Sequence, residues 1–319
     1  MPLESAQRPV LFINNMVSPE HRAQLAQALP ELELAYAPPG SDREAVLAPV
    51  ADRVKVVLTI GAIGLTAQEM DRMPQLSLVA ALGAGYEKID VAHARSRGIA
   101  TANGASTNDS CVADHTLALV LASVRNLKYY EAKLREGVWR ANLAMPEGVT
   151  GKKLGVLGLG IIGRKIALRA QAFEMQVGYH NRSPKADAPW PYFDSLLALA
   201  TWADILVVAT PGGASTHHLV NAEVLRALGP QGHLVNIGRG SVVDTQALAA
   251  ALRSGELGAA ALDVYESEPH PPQELVDLPN AVLTPHVAGW SPESVQATID
   301  RFIANTRSHL DGQPLVSPI

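Results

Sequence analysis

Short apolar runs alternate along this chain with longer stretches in which apolar residues recur at helical spacing. Up to about residue 103 the runs are Val10–Ile13, 32–36, 54–59 and Leu78–Leu82, and the helix-like stretches between and after them are Pro19–Ala28, 43–48, 67–73 and 91–97. This βαβα rhythm predicts a small parallel sheet that ends at the turn Asn103-Gly104. Ser106 to Asn108 offer caps for one long helix over 109–136. A second alternation follows, with strands predicted at 154–157, 176–179, Ile205–Val208, 233–237, Ala259–Leu262 and 282–284, enough for a complete doubly wound sheet. The stretch Pro292–Leu310 reads as a single helix with Ile299, Phe302 and Ile303 on one side. One helix cannot bury itself, so it is expected to pack back on the first sheet.

The predicted fold class is therefore α/β: a Rossmann-type doubly wound domain over 104–287, and a smaller flavodoxin-like α/β substrate domain made discontinuously from 1–103 and 288–319. Two domains suit a length of 319 residues. With 47% hydrophobic and 5% aromatic residues, the composition suits buried strands of Ala, Leu and Val covered by helices. A net charge of −5 and the lack of any basic run argue against nucleic acid or an anionic membrane as partner. No apolar stretch reaches the roughly 18 residues of a membrane span, and the N-terminus lacks the apolar core of a signal peptide, so a cytoplasmic protein is expected. Cys111 is the only cysteine and reads as a packed thiol, and the histidines include no HExxH or comparable helical pair, so no metal is indicated.

Residues 153–167 run in the order strand, GxGxxG turn, helix start. Gly158 permits the tight turn, Gly160 lets a pyrophosphate approach the backbone and Gly163 lets the helix pack on the strand. Leu159, Ile161 and Ile162 complete the turn, and N–H groups of residues 160–162 face the anion. An acid at the end of the next strand would bond the ribose 2′-hydroxyl of NAD(H). This chain instead has Asn181-Arg182-Ser183, which can bond a 2′-phosphate, so NADP(H) is favoured, with NAD(H) still possible.

Three blocks near the C-terminal end carry the chemistry: 235–241, 262–269 and 283–289. Each begins as a buried strand and ends in a reactive residue, respectively Arg239, Glu268 and His286. Glu266 lies two residues from Glu268 and shares its face if the segment is extended, so these residues alone leave two candidate acids.

With Gly158-Leu-Gly-Ile-Ile-Gly163, Asn236-Ile-Gly-Arg-Gly-Ser-Val-Val-Asp244, Ala261-Leu-Asp-Val-Tyr-Glu-Ser-Glu-Pro269 and Thr284-Pro-His286 in that order, the chain resembles the D-isomer-specific 2-hydroxyacid dehydrogenases over essentially its full length. The Glu-Pro ending matches the family at 268. The resemblance implies hydride transfer between a nicotinamide and C2 of a 2-oxo or (R)-2-hydroxy acid, in a cleft between two domains, usually in a homodimer. It implies that Thr210-Pro211 passes beside the adenosine and nicotinamide ribose, that Asp263 and the Ile237 carbonyl bond the carboxamide, and that Gly238 and the segment through Gly289 flank the cofactor. Leu82-Gly83-Ala84-Gly85 looks like the loop whose N–H groups bind the substrate carboxylate. The chain departs from the commoner pattern at Gly212-Gly213, where a bulkier loop is frequent, and at Trp290, where a small residue is frequent; Trp290 either roofs the substrate pocket or packs between domains.

The residue chemistry agrees with that family. A guanidinium suits a carboxylate beside a ketone, a histidine donates a proton at neutral pH, and a glutamate on the far ring nitrogen favours the imidazolium. The expected reaction is NADPH-preferring reduction of glyoxylate or hydroxypyruvate. A larger acid such as hydroxyphenylpyruvate or 2-ketogluconate, or a noncatalytic dinucleotide-sensing corepressor, is the alternative. Absence of a C-terminal regulatory domain weighs against a phosphoglycerate dehydrogenase.

Overall fold

A computed structural model describes residues 7–319, which form two α/β units: the described residues up to Asn108 together with Ser291–Ile319, and Asp109–Trp290. The first unit contains β1 (Val10–Ile13), α1 (Pro19–Ala28), β2 (Glu33–Tyr36), α2 (Arg43–Leu47), β3 (Val54–Ile60), α3 (Ala67–Asp71), β4 (Leu78–Leu82), α4 (Val91–Ser96) and β5 (Ala100–Ala102). The second contains α5 (Asp109–Val124), α6 (Leu127–Arg135), β6 (Lys153–Leu157), α7 (Ile161–Ala172), β7 (Gln176–His180), α8 (Leu196–Trp202), β8 (Ile205–Val208), α9 (Ala222–Leu228), β9 (His233–Asn236), α10 (Thr245–Ser254), β10 (Ala259–Leu262) and β11 (Ala281–Leu283). The last helix, α11 (Pro292–Leu310), belongs to the first unit.

Both sheets are parallel throughout. The first has the order β2-β1-β3-β4-β5, which is the flavodoxin-like order. The central strands β1, β3 and β4 are largely buried, and α11 covers one side of them: Ile299 and Phe302 pack with Leu11, Ile13, Val56, Leu58 and Leu78. Ser291 caps that helix by accepting from Ser294 N, and Pro292 takes its first position, where a missing N–H costs nothing. The second sheet has the order β11-β10-β9-β8-β6-β7, and an isolated Tyr179–Tyr192 bridge adds a residue beyond β7. Its order reverses between β6 and β8, and the crevice outside the carboxyl ends of those strands is where open α/β sheets take ligands.

Three expectations need correction. The first sheet has a fifth strand, Ala100–Ala102, whose three small residues give no apolar run long enough to recognise. The single helix expected over 109–136 is two helices, because Asn126 sits at φ 49 in the left-handed region and breaks the ladder between α5 and α6. The chain passes between units after Asn108 and after Trp290 rather than near 103 and 288. The residues after β5 stay with the first unit because Asn103 N donates to Ser317 O (3.1 Å) and the Thr107 and Thr298 hydroxyls are 3.0 Å apart. Cys111 is half-buried on α5.

Candidate active site

The turn after β6 is built from close approaches. Gly158 stands at φ 101, and a Cβ on Gly163 would lie 2.1 Å from the Gly158 carbonyl oxygen, so only glycine lets α7 start this near the strand. A Cβ on Gly160 would meet nothing within 4 Å; that side of the turn is open. Gly160 stands at the N-cap of helix α7 and provides no side-chain cap, and Ile161 is exposed, so the first-turn N–H groups of Ile161 and Ile162 are available to an anion. These features fit the pyrophosphate of a dinucleotide. Buried Leu159 donates its N–H to Asn181 Oδ1 (2.7 Å). Asn181 thus braces the glycine turn, a task different from the 2′-phosphate contact expected of it, while Arg182 and Ser183 lie exposed just beyond β7. Thr210 and Pro211 follow β8, and Gly238 is confined against Thr210, whose carbonyl oxygen would be 2.5 Å from an added Cβ.

Arg239 follows β9 through a turn pinned by buried Asn236, which accepts from Gly238 N (3.1 Å) and donates to Arg239 O (3.0 Å); Ile237 is buried within it. The Arg239 guanidinium donates back to Gly238 O (2.8 Å). A Cβ on Gly240 would lie 1.9 Å from the Tyr265 carbonyl carbon, so this glycine sets the Arg239 turn directly against the loop after β10.

That loop separates the two candidate acids. Glu268 Oε2 is 2.9 Å from His286 Nδ1, and its Oε1 accepts from Tyr265 N (2.9 Å). Glu266 instead bonds His218 Nε2 (2.7 Å) and Thr245 N (3.1 Å). The hydrogen bond that His286 donates to Glu268 raises its pKa above the ordinary value against a smaller opposing effect of burial, and the charge of Arg239 acts the other way. Burial pushes Glu268 upward, but the bonds from His286 and Tyr265 N and the charges of His286 and Arg239 outweigh it and hold the carboxyl low. His286 itself has φ 54, and its N–H is held by Asp263 O (2.9 Å) and Thr284 O (3.0 Å). A left-handed backbone is uncommon for a non-glycine residue, and these two bonds hold His286 in it.

Asp263 is 1% exposed and organises the rest of this segment. Its Oδ1 accepts from Thr284 Oγ1 (2.6 Å) and Val287 N (2.9 Å), and its Oδ2 accepts from Ala288 N (2.9 Å). Expected at the carboxamide, it also holds the loop of His286 and Gly289 in place. His115, on α5, completes the network: its Nε2 lies 3.1 Å from Thr284 Oγ1. Because the threonine proton goes to Asp263, the histidine is the donor in that contact. Tyr265 OH sits 2.8 Å from both the Leu262 and Thr284 carbonyls and clamps the two loops, and burial drives its phenol well above the usual range. Neither His115 nor Tyr265 was legible as a site residue, since the contact of each with Thr284 joins residues distant in the chain. Trp290, next to this loop, is 73% exposed.

In the first unit, Leu82-Gly83-Ala84-Gly85 leaves the end of β4 with Gly83 at φ 76. Gly104 N donates to Gly83 O (2.6 Å) and Asn103 Nδ2 to Ala84 O (2.8 Å), so the turn after β5 braces this loop.

Residues 117–288 match the sequence model of a family described as D-isomer specific 2-hydroxyacid dehydrogenase, NAD binding domain. This chain belongs to that family. The D-2-hydroxyacid dehydrogenase is 39% identical over 267 residues to the glyoxylate/hydroxypyruvate reductase A of Arabidopsis thaliana, covering 83% of this chain and 85% of the relative. It is 37% identical over 274 residues to the hydroxyphenylpyruvate reductase of Plectranthus scutellarioides, covering 86% and 88%. Among solved structures, the NADPH-dependent glyoxylate/hydroxypyruvate reductase of Sinorhizobium meliloti, in complex with NADP and malonate, aligns with a TM-score of 0.88 at 34% identity, over 98% of this chain and 97% of that one. The dehydrogenase is thus an NAD(P)-dependent oxidoreductase of small 2-oxo and 2-hydroxy acids. None of its helices, among the described residues, is long and apolar enough to cross a membrane.

Proposed function

We propose that this dehydrogenase works as an NADPH-preferring reductase of 2-oxo acids to (R)-2-hydroxy acids, with glyoxylate and hydroxypyruvate as its substrates. The observation that carries the reading is the His286–Glu268 pair at 2.9 Å, with the charge of Arg239 acting on both partners. The bound nicotinamide would supply the hydride to C2. Arg239 offers a planar fork that grips the substrate carboxylate and polarises the ketone oxygen. His286, whose protonated form Glu268 favours, donates a proton from its other ring nitrogen to that oxygen as negative charge develops. Glu268 orients the ring and tunes its pKa. Asp263, Thr284 and His115 keep the loop in register.

Arg182 and Ser183 are assigned to the 2′-phosphate of NADP(H), because no carboxylate ends β7 to bond a 2′-hydroxyl or to repel a phosphate. The Sinorhizobium relative, NADPH-dependent by name, supports this assignment. The likeness to hydroxyphenylpyruvate reductase sustains a second reading with a larger substrate side chain. We also infer a homodimer, in which a second copy covers Leu127, Leu134, Trp139 and Met145, which are 52%, 60%, 66% and 94% exposed on one stretch of the second unit.

The test is a panel of 2-oxo acids assayed with NADPH and NADH in parallel. Fastest turnover is expected with glyoxylate and hydroxypyruvate and with NADPH, and Arg182→Ala is expected to raise the KM for NADPH far more than that for NADH. Equal rates with NADH overturn the cofactor assignment, best turnover with hydroxyphenylpyruvate selects the second reading, and no turnover with any acid leaves a binding protein.

A further inference from the structure

His217 and His218 lie in the loop after β8 and Glu266 in the loop after β10, and nothing in their spacing along the chain connects them. The fold nevertheless places one ligand atom of each within 4.8 Å of the other two, the one such cluster among the described residues. His218 is set by a short parallel pairing of two segments: its N–H donates to Ser241 O (2.9 Å), Val220 N to Val242 O (3.0 Å) and Asp244 N to Val220 O (3.0 Å). Glu266 is fixed from the other side, where Oε2 accepts from Thr245 N (3.1 Å) and from the Thr245 hydroxyl, leaving Oε1 directed at His218 Nε2, 2.7 Å away. The His217 ring stacks on that of His218 with centroids 3.9 Å apart. A further carboxylate oxygen, Asp244 Oδ2, is 3.9 Å from His218 Nδ1. The proposed reduction uses none of these groups.

Two imidazoles and one carboxylate form a nitrogen-rich set that suits Zn²⁺, whereas Mg²⁺ and Ca²⁺ take oxygen ligands. The bonds to Thr245 and the Ser241–Asp244 segment orient the ligands from behind, as outer partners do in metal sites. We propose that His217, His218 and Glu266 bind a divalent transition-metal cation of the Zn²⁺ class, which joins the loop after β8 to the loop that carries Glu268. On binding, the proton between His218 Nε2 and Glu266 Oε1 leaves to solvent and both atoms turn to the metal. With bonds of about 2.0–2.2 Å, neighbouring ligands in a tetrahedral site stand about 3.3–3.5 Å apart, so the pair must open by under about 1 Å. Water fills the remaining position. The absence of a helical ligand motif, which led the sequence to indicate no metal, does not bear on a site assembled from two loops.

The test is calorimetric titration of chelator-treated, untagged full-length protein with ZnCl₂, with MgCl₂ in parallel. Saturable uptake of one zinc per chain is expected, with no magnesium uptake at the same concentrations. His217→Ala and Glu266→Gln should each weaken zinc binding roughly tenfold or more. His217 is exposed and stands outside the reaction machinery, so His217→Ala should keep its zinc-free turnover, which separates loss of the site from loss of the fold. No saturable zinc uptake, or uptake unchanged in His217→Ala, overturns the proposal. Neither result depends on which 2-oxo acid is reduced.

Discussion

At the scale of single residues, the two histidine–glutamate pairs show how the same side chains take different tasks. His286 gains a raised pKa from Glu268, and its protonated form is the one a reductase needs. Reduction should therefore proceed at pH values below the His286 pKa and fall as pH rises through it, with oxidation showing the reverse. Glu268→Gln removes the charge that favours the imidazolium, so the falling limb of a kcat/KM profile for reduction should move to lower pH; an unmoved limb would remove Glu268 from that role. His286→Ala should cut reduction by roughly 10²–10⁴-fold, and near-normal single-turnover rates would exclude it as the proton donor. The glycines separate in a comparable way. Gly240→Ala drives a Cβ into the Tyr265 backbone and should lower stability by at least about 1–3 kcal/mol in denaturant unfolding. Gly160→Ala meets no neighbour, so it should keep its stability and raise the KM for the dinucleotide.

At the scale of elements, the site depends on strand ends being tied to one another. Asp263 follows β10, Thr284 follows β11, and His115 reaches their contact from α5. His115→Leu leaves the Thr284 hydroxyl without its donor and loosens the loop that presents His286. We expect kcat for reduction to fall roughly 10- to 100-fold with a smaller change in dinucleotide KM, and His115→Gln, which keeps a donor, to recover part of it. Equal activity in the leucine variant would show that the Asp263 bonds alone hold the loop. The strands themselves were legible because buried parallel strands read as continuous apolar runs. β5 was not, since Ala-Thr-Ala carries almost no apolar signal, and neither was the break at Asn126, which depends on one backbone conformation.

At the scale of the whole molecule, the exposed Leu134, Trp139 and Met145 lead to a prediction about assembly. Light scattering behind size exclusion should give the mass of a dimer, and Leu134→Lys with Trp139→Lys should shift it to that of a monomer; a monomeric parent protein would contradict the inference. The sequence by itself determined the two α/β units, the glycine turn for a dinucleotide, and the three blocks ending in Arg239, Glu268 and His286. These are local: each is written in a run of adjacent residues whose periodicity or turn chemistry allows few conformations. Only the tertiary structure decided that Glu266 turns to His218 and Thr245, that Asn181 supports the glycine turn, and that His115 and Tyr265 hold the loop of His286. Those assignments depend on hydrogen bonds between residues far apart in the chain, and such distances are set by how the strands order in the sheet, which no single segment encodes.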